Sequence, residues 1–300
     1  MTMPANSIET ATKMVGVLDK IYKAGAKFAN LDPAPNAIKP TDQAGTFKIR
    51  KLTLTGLGNY SKTTGFPKGK VAVEWELFTY SQDRGRSFSI DAVDETEAMG
   101  VFGEVGAEFM RVHEIPEVDA YRAAKLVEAF GIDASATLDT TKKVIDALNV
   151  AYETLVANNV DLSRLVLYIT PTLPHRVRTS VATTDGVTDI FELAEVVEVP
   201  NDRFYTAITL DDGSAEDEGG YAKAVGAADI NFILMDKGAA FSDAKHQVMR
   251  IWSPRGENGY PMNPDGDAWK YEFRLVHECF VYANRLIGGY VHTKTAPTGS

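Results

Sequence analysis

Hydrophobic residues return along this chain at two different periods, and the switches between them mark out its parts. Ile8, Ala11, Val15, Leu18 and Ile21 recur at helical spacing behind Ser7, a residue able to cap, which predicts a helix over 7–29. Prolines at positions 33, 35 and 40 follow. They forbid helix and favour an extended path. A short helix and an extended strip make a poor domain but a serviceable arm. The period then drops to two. Phe47 and Ile49 alternate with polar residues, and Leu52 and Leu54 do so in the opposite phase. The phase change at Arg50-Lys51 predicts a bulge or a strong twist. The return strand carries Val71, Val73, Trp75 and Leu77 on one face and Glu74 and Glu76 on the other. Residues 56–70 between the strands hold four glycines, one proline, three lysines and no acid. The hairpin is therefore expected to end in a long, mobile, basic tip.

Strand patterning continues through Ser81 to Asp91, and a long helix follows. Asp94 and Glu97 have capping-box spacing, and Met99, Phe102, Val105, Phe109 and Val112 form its apolar stripe. Gly100, Gly103 and Gly106 weaken it locally and would let another backbone come close. Pro116 kinks this helix or starts a second one. Ala120, Ala123, Val127 and Phe130 then keep the helical period until Gly131 stops it. Another amphipathic helix is expected over about 140–157, with Val144, Leu148, Ala151 and Leu155 inward. Leu165 to Ile169 reads as a buried strand ended by Pro171 and Pro174. Residues 196–210 and 230–235 read as strands and 237–248 as a helix. Trp269, Tyr271, Phe273 and Leu275 face one way on a further strand, and Ile287 to His292 closes the chain. The sum is α+β with few βαβ units, which disfavours a doubly wound nucleotide fold.

Composition narrows the function classes. The 300 residues are 44% hydrophobic and 24% charged, close to the globular average, so wholesale disorder is excluded. The formal net charge is -10, and there is no Lys/Arg cluster of the kind that grips nucleic acid through its phosphates. Near DNA, such a chain would enclose it. The single cysteine, Cys279, cannot form an internal disulfide and reads as a buried thiol. The first six residues lack the basic and apolar regions of a signal peptide, and no apolar run approaches the roughly 20 residues of a membrane span. Synthesis in the cytosol is the expectation.

The search for chemistry finds little. Gly65 to Val71 misses the phosphate-binding loop by one spacer residue and ends in Val71 where the loop needs Ser or Thr. Gly56-Leu57-Gly58 lacks the third glycine of a dinucleotide fingerprint. His113, His175, His246, His277 and His292 stand at no ligand spacing from one another, and no serine sits in a Gly-x-Ser-x-Gly elbow. His277 and Cys279 would share a strand face, where core packing is the commoner role. The acidic run Asp211 to Glu218 lacks the glycine and terminal glutamate of a calcium loop, and Asn263 to Asp267 reads as a simple turn. No catalytic, cofactor-binding or metal residue is assigned, although groups far apart in sequence could still converge.

The order of parts, with several short motifs, carries a resemblance. These are Leu57-Gly58-Asn59-Tyr60-Ser61 with Gly65-Phe66-Pro67, Ser81 to Phe88, Glu108-Phe109-Met110-Arg111 with Ile115 to Arg122, Val248 to Pro254, and Gly289 to Thr293. In these stretches the sequence resembles the major capsid proteins of tailed bacteriophages, the Hong Kong ninety-seven type, particularly those of phages of Gram-positive bacteria. The resemblance implies an N-terminal arm (1–45), an extended loop (46–91), a peripheral domain with a long spine helix (92–135), an axial domain (136–240), peripheral return strands (241–283) and a C-terminal strand and tail (284–300). It implies a structural, non-enzymatic subunit without cofactors that assembles into hexamers and pentamers of an icosahedral head. That head would be built in the host bacterial cytoplasm with scaffold and portal proteins, and would enclose double-stranded DNA. The initiating Met1 favours a separate scaffold. Residues implied in contacts between subunits are Tyr60, Lys62, Phe66, Lys68, Lys70, Trp75, Arg84 and Arg86. An encapsulin-like compartment shares the fold, and a soluble enzyme with a composite site is the third reading.

Overall fold

A computed structural model describes residues 25–31, 39–40, 46–91, 101–179, 191, 194–214, 219–256 and 261–298. The predicted helix over 7–29 and the Asp94/Glu97 capping box lie almost wholly outside them. In chain order the elements are β1 (Thr46–Leu54), β2 (Val71–Thr79), β3 (Gln82–Asp91), α1 (Val101–Phe109), a π-helical turn (Met110–Glu114), α2 (Ile115–Phe130) and α3 (Thr141–Ala157). Then come β4 (Leu165–Ile169), α4 (Thr172–Thr179), β5 (Glu195–Glu198), β6 (Ile208–Leu210), β7 (Tyr221–Lys223), β8 (Ile230–Asp236), β9 (Ala240–Trp252), β10 (Ala268–Val281) and β11 (Gly289–Thr293).

Two larger sheets carry the body. In the first the order is Ala134–Ser135, β11, β8, β4, β5, with β8 antiparallel to both neighbours and β4 parallel to β5. Its two faces are covered differently. Val166 and Tyr168 of β4 join a core with Leu126 and Val127 of α2, whereas Leu165, Leu167 and Ile169 join one with Val144, Leu148, Ala151 and Leu155 of α3. Burial on both faces is why this strand reads as an unbroken apolar run. Helix α3 is held as the periodicity predicts, capped by the Thr140 side chain, which accepts from the Lys143 amide at 3.3 Å. The second sheet, β9-β10-β3, is antiparallel throughout and packs Tyr271, Phe273 and Leu275 against Phe109 and Val118 of α1 and α2. The third is the β1-β2 hairpin, edged by Lys39–Pro40.

Two expectations change, and the choice left open at Pro116 resolves in favour of a second helix. Residues 237–248, expected to be helical, run into β9, which pairs with β10 over twelve registered positions. A register shift between Ala244 and His246 interrupts the two-residue alternation, so the strand period is hidden in the sequence. The β1-β2 register is unbroken from Thr46↔Thr79 to Leu54↔Val71, so no bulge accompanies the phase change. Pro116 begins a new α-helix after a π turn closed by the Ile115 amide on Met110 O. A proline has no N–H for the carbonyl four residues back, and the wider turn relieves that mismatch.

Candidate assembly surface

The hairpin has two chemically opposite faces, and they reverse roles along its length. On one face lie Phe47/Phe78, then Ile49/Glu76, Lys51/Glu74 and Thr53/Ala72 in cross-strand register; on the other, Lys48/Leu77, Arg50/Trp75, Leu52/Val73 and Leu54/Val71. The first is apolar at the root and polar outward. The second is charged at the root and apolar outward. The phase change in the sequence is thus a change of partner, not of backbone.

At the root the partner is the chain's own body. Phe47, Ile49 and Phe78 are buried with Phe241 and Phe280 and are flanked by Tyr80 and Tyr282. The rings of Phe47 and Phe280 meet edge-on at 5.0 Å, and those of Phe78 and Phe241 at 5.8 Å. Polar contacts lock the strand joint beside them. Tyr80 donates to Asp243, the Ser81 amide and hydroxyl donate to Glu278, and Tyr121 of α2 donates to the same carboxylate at 2.7 Å. Burial together with these carboxylates pushes both tyrosine hydroxyls well above their ordinary pKa. On the far side the Ala283 amide donates to Glu76 at 3.1 Å.

Outward of this joint no residue from 50 to 75 is buried. Leu52, Leu54, Val71, Val73, Trp75 and Leu77 are 42–64% exposed on one continuous face, and Leu57, Tyr60 and Phe66 extend it over the tip. A contiguous apolar surface of this kind marks an interaction site. The tip, expected to be mobile, closes on itself. Ser61 and Gly65 exchange backbone hydrogen bonds of 3.2 and 2.8 Å, with Gly65 at φ 77°, and Thr55 Oγ1 accepts from the Lys70 amide at 2.9 Å. Tyr60 and Phe66 pack ring to ring at 5.0 Å.

The eight residues expected in contacts between subunits therefore divide. Tyr60, Phe66 and Trp75 share the exposed apolar surface, and Lys62, Lys68 and Lys70 stand exposed around the tip. Arg84 is different. It lies on β3 and makes a two-pronged pair with Glu117 of α2 (2.6 and 3.1 Å), and it also donates to Asp211 O. It ties sheet to helix within its own chain, a role no spacing rule could reveal. Arg86, two residues on along the same strand, lines the cavity described below. Leu52 and Leu54, not singled out from the sequence, belong to the apolar face; their alternation was visible, but not which face stays uncovered.

The segment leading into the hairpin is also anchored. Asp119 of α2, fully buried, accepts from the Lys27 and Phe28 amides (3.0 and 3.2 Å) and from Arg203 (3.1 Å). Burial raises its pKa against the pull of these donors. Arg122 donates to Phe28 O, and the Phe28 ring stacks on Tyr168 at 4.3 Å. A cavity of about 260 Å³ lies between α1–α2, the β3/β10 surface and residues 211–213 and 219–220. Neither carboxyl oxygen of Glu114, nor Nδ1 of His277, has a hydrogen-bond partner there among the described residues. Burial and nearby Glu117 raise the Glu114 pKa to about 8, and burial lowers that of His277 to about 3. No three His, Cys, Asp or Glu side chains converge to hold a metal among the described residues, and no described helix is long and apolar enough to cross a membrane.

Comparison with known proteins bears on this layout. No family model matches the chain, and no curated protein does. Solved structures do. The mature capsid of bacteriophage PhiM1 matches at TM-score 0.59 and 13% identity over 85% of this chain and 83% of that one. A structure from Gordonia phage Cozz matches at TM-score 0.59 and 15% identity over 91% and 87%. The chain has the tailed-phage capsid fold. A virus-like particle from Pyrococcus furiosus matches this capsid fold too, at TM-score 0.55 and 10% identity over 94% and 98%.

Proposed function

We propose that this chain is a structural shell subunit. It self-assembles into hexamers and pentamers of an icosahedral head that encloses double-stranded DNA without reading its sequence, and it performs no catalysis. One observation carries the reading: a hairpin rooted in its own core presents a continuous apolar face that the described residues of its chain leave open. A lone two-stranded hairpin is marginal in water, and a second copy supplies the missing burial. Each apolar side chain moved from full exposure to burial contributes roughly 1.5–3 kcal/mol, about half that for residues that begin half-exposed. Contacts repeated around a closed shell then sum to a strong assembly. In this reading residues 46–91 are the extended loop, 92–135 hold the spine helix, 136–240 form the axial domain, and scaffold and portal proteins join assembly in the bacterial cytoplasm before the virion matures. Electron microscopy of the purified chain, with its scaffold where one is needed, is expected to show rings or closed shells. A stable monomer under all assembly conditions would refute the proposal.

An encapsulin-like compartment is the second reading, favoured by the match to the Pyrococcus furiosus particle over 98% of that chain. Particles isolated with enclosed enzyme in place of DNA would select it.

A further inference from the structure

Glu114 is only 5% exposed, yet neither of its carboxyl oxygens meets a donor among the described residues. Other buried acids are served. Asp119 accepts from two amides and from Arg203, and Glu278 accepts from Ser81 and Tyr121. Burying a carboxyl group without a partner is costly, and the great majority of buried polar groups have one. Glu114 closes the π-helical turn and lines the cavity of about 260 Å³ behind α1–α2. His277 of β10 lines the same cavity, is 3% exposed, and has no partner for Nδ1 among the described residues. Two enclosed polar groups on one cavity, both unserved, call for an occupant.

The walls define its chemistry. Phe88, Phe109 and Phe273 all line the cavity. The Phe109 ring meets Phe88 edge-on at 5.2 Å and Phe273 at 5.8 Å. Aromatic rings attract cations, most strongly where water is excluded. The charges agree with the rings. Arg84 and Glu117 pair with each other, which leaves Arg86 against Glu114, Asp211 and Asp212. With Glu114 ionised, acids are in excess and an anion is disfavoured. A metal ion needs more ligands than converge here, since no three His, Cys, Asp or Glu side chains come together among the described residues. The volume is several times the roughly 30 Å³ that a water occupies in the liquid, so a molecule of several heavy atoms fits.

We propose that this cavity binds a small organic ammonium ion, with its N–H groups donating to the Glu114 carboxylate and its carbons against Phe88, Phe109 and Phe273. The site lies within one subunit and goes beyond the shell reading, so it stands whether or not particles form. In the empty cavity, burial and nearby Glu117 hold Glu114 protonated up to about pH 8. An alkylammonium, like a lysine side chain, keeps its charge to about pH 10. Binding is therefore an exchange: the carboxyl proton leaves to solvent and the ammonium takes its place. Affinity rises with pH by up to about tenfold per unit until Glu114 is ionised without help. The other groups around the carboxyl keep their charge through this range. His277 stays neutral because burial pulls its pKa to about 3, and buried Tyr271 stays un-ionised because burial pushes its pKa up. His113 is the remaining titratable group on the wall.

The test is calorimetric titration of the full chain, before assembly, with ethylammonium chloride in two buffers of different protonation enthalpy. The expected result is saturable binding of one amine per chain, with release of close to one proton at pH 6.5 and about tenfold tighter binding at pH 7.5. Glu114→Gln is expected to weaken binding tenfold or more and to abolish proton release, with circular dichroism confirming its fold. Asp212→Asn, an exposed change beside the cavity, is expected to weaken binding by a smaller factor and to leave proton release intact. Absence of binding at pH 7.5 overturns the proposal, as does binding that Glu114→Gln leaves unchanged. Equal binding of sodium ion overturns the ligand class, because charge alone would then account for the site.

Discussion

The root and the outer half of the hairpin are built from the same residue types but have opposite fates. At the root, Phe47, Ile49 and Phe78 are buried by Phe241 and Phe280 of their own chain. Outward, Leu52, Leu54, Val71, Val73 and Leu77 are just as apolar and remain open. The difference is only which face of one ribbon carries the apolar residues, since the register never slips. Two side-chain periods in opposite phase let one element serve two partners, one fixed by the fold and one supplied by assembly.

The strongest way to break this contrast is to remove the outer half. Deleting Tyr60 to Gly69 is expected to leave a folded subunit, because none of these residues is buried, and to abolish or severely reduce particle formation seen by microscopy. Particles of normal yield would show that the open face is not needed. The root predicts the reverse. Phe280→Ala removes the ring that Phe47, Phe78 and Phe241 all touch, and is expected to cost about 3–5 kcal/mol of subunit stability in denaturant unfolding. If stability hardly changes, the joint is not what holds the hairpin.

Trp75→Ala sharpens the contrast at one position. Its side chain lies on the outward apolar face, opposite Arg50. Subunit unfolding is expected to shift less than in Phe280→Ala, whereas assembly falls clearly. Equal damage to both would place Trp75 in its own subunit's packing.

How much of this was legible in the sequence follows from the range of each interaction. The hairpin, α3, the doubly buried β4 and the end of α2 at Gly131 follow from local periodicity and punctuation, which need only neighbouring residues. What was not legible needed distant partners. Strand β9 carries an apolar spacing compatible with a helix; its pairing with β10 and the shift at Ala244/His246 decide the matter and leave no local signature. Arg84 reads as one exposed strand cation among several, until α2 brings Glu117 within 2.6 Å. Asp119 has no capping or motif spacing, yet it holds the arm's root from 91 positions away. The phase change at Arg50-Lys51 was legible as a feature, but its meaning required knowing where the body lies.

A third kind of burial, enclosed but unpaired, lies at the cavity behind α1–α2. Glu114 has an ordinary pKa of 4.5 and a folded one of about 8, while His277 moves from 6.5 to about 3. The groups facing Glu114 are Glu117 and His113 from its own helix, Arg84 and Arg86 from β3, His277 and Tyr271 from β10, and Asp211 and Asp212 from the loop. Between pH 4.5 and 8 the folded chain holds a proton on Glu114 that the unfolded chain has lost, so this group's stabilisation declines as pH rises. Between pH 3 and 6.5 the unfolded chain holds a proton on His277 that the folded chain lacks, so that contribution grows as pH rises. The two slopes oppose each other from 4.5 to 6.5, and Glu114 acts without His277 from 6.5 to 8. Each slope is at most about 1.4 kcal/mol per pH unit. Thermal unfolding of the unassembled subunit is therefore expected to weaken by up to about 2 kcal/mol from pH 6.5 to 8, and Glu114→Gln is expected to remove that decline. A decline that persists in Glu114→Gln would mean that the carboxyl is already ionised in the folded chain, with a partner reaching it in the cavity. The outer hairpin lies outside this equilibrium, so the Tyr60–Gly69 deletion should show the same pH profile as the intact chain, and a changed profile would couple the two regions.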